Sequence, residues 1–489
     1  MKKIVSVMLL LITSLILTAC TKEDPIVCKN GYILEEDTCV LESDYIDIYY
    51  INDFHGALLP TTEQIGISYI ANLINTRKIE NPDQVLFLAG GDILQGSALS
   101  NYYNGLSTIN LLNLSSLDAF TIGNHEFDWG IDVVTQYADG NIDNGEADFP
   151  FLGANIYLDG TTTIPDGIEP YTIIEKGEHK IGIIGTIGYG LEYSIATSKI
   201  EGYYFGSPTD AVEEYATLLR TEHQCDTVIV IAHDTGTLNN TVTQLTGDAR
   251  VDAIFNGHSH SDYTTTINGI PVMQSGASGE FVGQLRLNYE NGQITSTQTR
   301  NLTSADDDLL LYEDTTVQAL LQEYIDETDP LFNTPIITSE ARFSSYDLTD
   351  WIAQLIRIKT GSDIAFHNYG GTRTDVASGE VLSLGKLYEI WPFDNVIKTV
   401  ELTGTEVNWL ISSGGLGYNT TITTFNPSST YLVATNDYVF DKDSNPFLDG
   451  ENINNTGLLL RDLAEAELLL QSETYDLFNT SNTILSTSE

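Results

Sequence analysis

Tyr45-Ile46-Asp47-Ile48-Tyr49-Tyr50-Ile51-Asn52-Asp53-Phe54-His55-Gly56 is a short β-rich run that breaks into polar residues and glycine at its end. The pattern returns at Val85 to Ala89 before Gly90-Gly91-Asp92, and at Val228 to Ala232 before His233. From Tyr45 to about Arg300 such runs alternate with longer amphipathic stretches, which is the rhythm of an α/β domain. In sheets of this kind, polar groups at the C-terminal ends of strands collect along one rim, where ligands bind. The chemistry of this chain is therefore expected at those ends.

The surrounding chain has 489 residues, 42% hydrophobic and 18% charged. At about 150 residues per domain it holds two or three compact units, and the composition excludes a wholly disordered, collagen-like or disulfide-saturated protein. Lys plus Arg number 21 against 69 Asp plus Glu, a formal charge of −48. Such a field repels phosphate backbones, so no nucleic-acid partner is expected. An anionic substrate must be held locally, by metals, arginines or backbone N–H groups.

Lys2 and Lys3 precede an apolar run from Ile4 to Leu17 that ends in Leu17-Thr18-Ala19-Cys20. The run is short for a membrane span. It resembles a bacterial lipoprotein signal over residues 1–20, in which Cys20 is acylated, and implies an extracytoplasmic, lipid-anchored chain. Residues 21–43 then form a tether in which Cys28 and Cys39 could close a local loop. Cys225, before the apolar run Val228 to Ile231, reads as a buried, inert thiol.

The first domain is expected over 44–303. Between Ser304 and Pro335 the acidic run Asp306-Asp307-Asp308 leads into apolar Val317, Leu320, Leu321, Tyr324 and Ile325, closed by Asp329-Pro330. This predicts one exposed linker helix within 304–335, stopped by the proline. A second mixed α/β domain is expected over 336–485, with a helix from Leu348 to Ile358.

Five of the eight histidines stand in strand-terminal motifs: His55, His125, His233, His258 and His260. Asp53, Asp92 and Asn124 accompany them. His179, His223 and His367 read instead as ordinary packed histidines. A shared carboxylate such as Asp92 can bridge two divalent cations, and mixed imidazole and carboxylate donors suit Zn, Mn or similar ions. The reaction class this predicts is metal-assisted phosphoester hydrolysis.

Read in order, Asn52-Asp53-Phe54-His55-Gly56, Gly90-Gly91-Asp92, Gly123-Asn124-His125-Glu126-Phe127-Asp128, Ala232-His233 and Gly257-His258-Ser259-His260 resemble the calcineurin-like metallophosphoesterases. The resemblance implies a four-layered α/β/β/α sandwich. It assigns Asp53, His55, Asp92 and His260 to one metal and Asp92, Asn124, His233 and His258 to the other. His125 would stabilise the transition state or protonate the leaving oxygen, with Asp128 orienting it.

The C-terminal third contains His367-Asn368-Tyr369-Gly370-Gly371-Thr372-Arg373, Trp391-Pro392-Phe393-Asp394-Asn395 and Ala434-Thr435-Asn436-Asp437-Tyr438. Together with the first domain these resemble the secreted 5′-nucleotidase family. The resemblance implies that Asn368, Gly370, Gly371 and Arg373, helped by Arg342, hold the ribose and phosphate side, while Phe393 and Tyr438 clamp the base. Stacking tolerates any base, so several nucleotides are expected as substrates. The chain departs from the family after Tyr438, reading Phe440-Asp441-Lys442-Asp443-Ser444-Asn445-Pro446 without the usual glycines. Asp441, Asp443, Asn445 and Asp449 alternate there as oxygen donors and form a candidate calcium loop.

The expected function is hydrolysis of nucleoside phosphates to nucleoside and phosphate outside the cytoplasm. A 2′,3′-cyclic-nucleotide phosphodiesterase or nucleotide-sugar hydrolase would use the same metal site. A non-catalytic nucleotide-binding surface lipoprotein is the reading from another class, and the presence of His125 speaks against it. Oligomeric state and metal identity are not legible.

Overall fold

The computed structural model describes residues 32–35, 38–41, 44–442 and 444–486. Two compact units separate at Asp44. In the first, Tyr32–Glu35 and Thr38–Leu41 form an antiparallel hairpin. Cys20 and Cys28 lie outside the described residues, as do the side chain of Cys39 and any bridge to it. The second unit, Tyr45–Glu489, holds both lobes described below.

Strand Tyr45–Ile51 explains the layering of the first lobe. Its Ile46, Ile48 and Tyr50 enter one apolar cluster, while Tyr49 and Ile51 enter another on the opposite face. Successive side chains of a strand point to opposite sides, so alternating apolar residues serve two cores at once. The strand sits inside a six-stranded sheet ordered Gln293–Leu302, Val282–Glu290, Tyr45–Ile51, Val85–Ala89, Ala119–Thr121, Phe151–Leu152. A second six-stranded sheet runs Asp262–Ile267, Ile270–Ser275, Ala253–Asn256, Thr227–His233, His179–Ile187, Tyr171–Lys176. Ile183, Ile229, Ile231 and Phe255 of this sheet share a core with Ile46, Ile48 and Tyr50. Helices Ile67–Glu80 and Leu106–Leu114 cover the outer face of the first sheet, and Pro208–Thr221 covers that of the second. The expected α/β/β/α sandwich is the observed one.

Within each sheet the central strands are parallel, so their C-terminal ends emerge on one side. Asp53 follows Ile51, Asp92 follows Ala89, Asn124 follows Thr121, His233 ends its strand and His258 follows Asn256. Sequence positions 53 to 260 are thereby gathered on one rim.

The second lobe is built on a five-stranded sheet ordered Leu416–Thr420, Ile364–Asn368, Thr430–Asn436, Val396–Thr403, Glu451–Leu459. Helix Ser345–Thr360 buries Leu348, Trp351, Ile352, Leu355 and Ile356 in its core. The helix begins earlier than expected because Ser344 and Asp347 form a reciprocal capping box, and Gly361 ends it in the left-handed conformation.

Helix Thr315–Phe332 joins the lobes and differs from expectation in two ways. It is not a fully exposed rod, since Val317 and Leu321 are buried in the first lobe's core. It also runs through Pro330 to Phe332. A proline near a helix C-terminus removes one donor, and here the last turn is held by Asn333 N–H donating to Asp329 O at 3.0 Å and by the Phe332 ring lodged against Tyr102 and Tyr388.

Candidate active site

Gly91 begins the geometry of the rim. It takes φ +83°, and an added Cβ would lie 2.5 Å from the His233 ring, so only glycine lets the chain turn there. Asp92 follows at φ 53°, and Asp53, His55, His258 and His260 are also left-handed, at 47°, 52°, 69° and 52°. Five of the seven expected metal ligands thus adopt a backbone that side chains with a Cβ seldom tolerate, at roughly 1–3 kcal/mol each. Such strain persists only where the surroundings impose it. Here these loops are tied by Asp53 N–H to Gly91 O and His55 N–H to Asp92 O, both at 3.0 Å, and by His258 N–H to both Asp53 oxygens at 2.9 and 3.0 Å.

The donors converge in two groups, Asp53 with His55 and His260, and Asp92 with His233 and His258. The Nε2 atoms of His55 and His260 approach to 3.3 Å. Asn124 Oδ1 faces His258 Nδ1 at 2.9 Å and His233 Nε2 at 3.2 Å, while Asp92 Oδ2 lies 3.1 Å from His233 Nε2. The outer nitrogens are anchored: His55 Nδ1 donates to Gln95 O at 2.8 Å and His233 Nδ1 to Gly90 O at 2.9 Å. Anchoring one ring nitrogen to a carbonyl fixes the tautomer and aims the other inward as a ligand.

Electrostatics describe a site built for cations. Burial pushes the Asp53 carboxyl up to about 7, with nearby Asp92 adding to the rise and His233 opposing it. Burial holds His55 down to about 3 and His258 down to about 4, keeping both imidazoles in the neutral form that coordinates metal. His233 resists its own burial and rises to about 10, because Asp92 beside it favours the charged ring. Two adjoining groups of carboxylate and imidazole donors suit two divalent cations.

His125 lies beside this cluster and outside it. Its Nδ1 donates to Asp128 Oδ2 at 2.7 Å. Burial opposes its charging, but the Asp128 and Asp92 carboxylates outweigh that and raise its pKa to about 9. A cavity of ≈ 240 Å³ opens from His125, Asp128, Asn124 and His258 into the second lobe.

Five of the expected substrate residues line that cavity: Asn368, Gly370, Arg373, Phe393 and Tyr438. Phe393 lies parallel to the His125 ring, 5.7 Å between centroids. Tyr438 stands on the short helix Asp437–Phe440, and Lys442 Nζ covers its ring at 3.9 Å. Gly371 is not in the wall. It packs over buried His367, where a Cβ would come within 2.8 Å of the imidazole. Arg342 is also away from the cavity, 70% exposed and paired with Asp375 at 2.5 Å. The run Arg342 to Asp347 is explained by that pair and by the Ser344 capping box.

In the candidate calcium loop one expected donor is already paired. Lys398 Nζ bonds both carboxylate oxygens of Asp441 at 2.7 Å, so an internal ammonium already occupies the first expected ligand. Asp443 lies outside the described residues.

Sequence reasoning passed over the residues that hold the site together. Glu126 is fully buried and accepts the N–H groups of Asp92, Ile93, Leu94 and Gly123. Asn52 fixes Asp53 Oδ2 at 2.6 Å while bridging to Ser275 and Gly276. Asn436 donates to His367 Nδ1 at 2.8 Å and Asn368 Oδ1 at 2.9 Å, holding the strand end that bears Asn368. Glu126 sits in the motif quoted above, and its position one residue after His125 was the available signal.

Fold and site define a metal-dependent phosphoester hydrolase of two lobes. Residues 46–262 match the family described as calcineurin-like phosphoesterase, and residues 331–424 match the 5′-nucleotidase C-terminal domain. Residues 46–262 thus form a calcineurin-like phosphoesterase domain and residues 331–424 a 5′-nucleotidase C-terminal domain.

It is similar to the cell wall protein Lmo0130 of Listeria monocytogenes, 25% identical over 74% of this chain and 55% of that protein. A 5′-nucleotidase of Vibrio cholerae is 22% identical over 74% of each chain. The crystal structure of a 5′-nucleotidase precursor from Thermus thermophilus shares the fold with a TM-score of 0.72 at 19% identity, covering 91% of this chain and 98% of that one. The chain spans 55% of the length of the Listeria protein and 27% of a trifunctional nucleotide phosphoesterase of Bacillus subtilis. Among the described residues, no helix is long and apolar enough to cross a membrane.

Proposed function

We propose that the chain is an extracytoplasmic 5′-nucleotidase, tethered through acylated Cys20, that hydrolyses nucleoside phosphates to nucleoside and phosphate. Residues 44–303 carry the reaction and residues 336–485 grip the nucleoside. The observation that carries this reading is a single cavity walled on one side by His125, Asn124 and His258 and on the other by Asn368, Arg373, Phe393 and Tyr438.

Seven residues, Asp53, His55, Asp92, Asn124, His233, His258 and His260, would hold two divalent cations. When bound, such ions supply Lewis acidity toward a phosphoryl oxygen and acidify a water for attack. The chain's own residues do the rest. Asp128 fixes His125 with its Nδ1 proton donated, so the ring enters the cavity as a cationic acid able to pass a proton to the departing ester oxygen. Arg373 offers planar N–H donors to anionic oxygens, and Asn368, oriented by Asn436, offers its amide to the sugar. Phe393 and Tyr438 supply faces for a base, and the two lobes together shield the cavity from bulk water.

Phosphate release by the chain beginning at Thr21, with Mn or Zn added, tests the reading across 5′-monophosphates, triphosphates, 2′,3′-cyclic nucleotides, a nucleotide sugar and 4-nitrophenyl phosphate. Nucleoside as the product of 5′-monophosphates is the expected result. Turnover of 4-nitrophenyl phosphate alone, or of cyclic nucleotides alone, overturns it. Release of the full chain from membranes on Cys20→Ser tests the tether, and equal partitioning of parent and variant removes it.

A further inference from the structure

The aromatic slot at Phe393 and Tyr438 has a polar edge made of Asp394, Asn395 and Asp437, all of which line the cavity. The hydrogen-bonding capacity of this edge is one-sided. Asp437 is engaged, its Oδ1 accepting from Asn395 Nδ2 and from Tyr438 N–H, each at 2.9 Å. Asn395 has turned its amide nitrogen to Asp437, and its Oδ1 has no partner among the described residues. Asp394 bonds Arg461 through Oδ1.

Arg461 is only 5% exposed, donates to Trp391 O at 2.8 Å and lies over the Tyr388 ring, 3.5 Å from its centroid. The guanidinium is thus locked, and it locks Asp394. Yet the Asp394 side chain keeps 41% exposure, and its Oδ2 has no partner among the described residues. A carboxylate carries about four lone-pair positions, so capacity for a ligand remains on both oxygens.

A slot that stacks any base but ends in fixed acceptors selects for bases that bring donors. We propose that Asp394 is a specificity-determining residue that favours nucleotides whose base carries adjacent N–H groups, guanine above all. This rests on the nucleotide reading above and narrows it. Guanine N1–H and its 2-amino group point the same way and can share one carboxylate. Hypoxanthine keeps N1–H and loses the amino group. Xanthine sets a carbonyl where the amino group was, facing the carboxylate lone pairs. Uracil offers one N–H between two carbonyls. An anionic acceptor left facing a carbonyl has both repulsion and an unmet hydrogen bond against it.

The test measures kcat/KM for GMP, IMP, XMP and UMP with the metal-loaded enzyme, parent and Asp394→Asn. The parent is expected to prefer GMP over IMP by at least about tenfold and over XMP by more, one good base contact corresponding to roughly that ratio or above. In Asp394→Asn, which presents an amide donor, the GMP:XMP ratio is expected to fall at least about tenfold. Inhibition of the parent by guanosine, inosine, xanthosine and uridine reads the same order without a variant. Equal efficiencies for the four nucleotides, or a GMP:XMP ratio unmoved by Asp394→Asn, overturn the proposal while leaving nucleotide hydrolysis intact. Turnover of 4-nitrophenyl phosphate with none of the nucleotides overturns both.

Discussion

The carboxylate of Glu126 lies beneath Asp92, its Oε2 accepting the Asp92 N–H at 2.8 Å. The same carboxylate takes Gly123 N–H at 2.8 Å, Ile93 N–H at 2.9 Å and Leu94 N–H at 3.2 Å. One buried side chain thus joins the loop that bears Asp92 to the loop that bears Asn124 and His125. Both loops leave parallel strands with their N–H groups turned inward, where no water can satisfy them.

Glu126→Gln keeps the volume but replaces one acceptor oxygen with an amide nitrogen. It should destabilise the protein by about 2–4 kcal/mol, since buried N–H groups lose their acceptor. Metal content should fall with it, because Asp92 is displaced. Thermal unfolding and elemental analysis of the purified variant check this, and parental values for both would refute the role.

Removing His125 acts on a different step. His125→Ala should retain metal and lower kcat on a nucleotide by about 10²–10⁴-fold, the range for a lost proton donor. 4-Nitrophenyl phosphate, whose leaving group needs little protonation, should lose much less. Asp128→Asn should show the same pattern more weakly. Loss of bound metal in His125→Ala would mean that the imidazole is a ligand instead.

Phe393 lines the cavity beside the His125 ring, 5.7 Å between centroids. Phe393→Ala should raise KM for nucleotides by about tenfold, matching roughly 1–3 kcal/mol for a lost stacking face. KM for 4-nitrophenyl phosphate should move far less. Equal shifts on the two substrates would show that Phe393 only packs.

Removal of metal should lower the melting temperature, and graded addition of Mn or Zn should raise it continuously, because a ligand that binds only the folded state stabilises it in proportion to ln(1 + [L]/Kd). Asp92→Ala should abolish the dependence on added metal, and a response equal to the parent's would remove Asp92 from the proposed ligands.

His367 gives an acid dependence whose sign is fixed by burial. Burial holds its folded pKa down to about 3, against about 6.5 in an unfolded chain. The unfolded state binds the extra proton between those values, so stability is fully present above about 6.5 and is lost as pH falls toward 3. The loss amounts to at most about 1.4 kcal/mol per pH unit. Urea unfolding from pH 7 to 4 should show a steeper decline in the parent than in His367→Gln, which is weaker at pH 7 but has no proton to gain. Parallel declines would assign the acid sensitivity to other groups.

The candidate metal ligands were legible because a strand and the residue that ends it are neighbours in sequence. Asp53, Asp92, Asn124, His233 and His258 each follow or close a strand, and their donor chemistry is carried by residue type. Arg342 was misleading for the converse reason. An arginine can pair with any carboxylate in reach, and Asp375 lies 2.5 Å from Arg342, which does not line the cavity. Pro330 was read as a stop because a proline disfavours the turn before it, yet Phe332 packing and the Asn333 cap carry the helix two residues further.

By itself, the sequence determined the alternation of strands and helices, the capping of Ser345–Thr360 and the chemistry available at each strand end, because these depend on residues a few positions apart. Only the tertiary structure decided which groups meet. It brought Asp441 to Lys398, Arg461 to Asp394, and Glu126 to four N–H groups. It also forced five candidate ligand residues into left-handed backbone. Spacing along the chain does not encode distance in space, and a polar side chain takes the partner that packing leaves within about 3 Å.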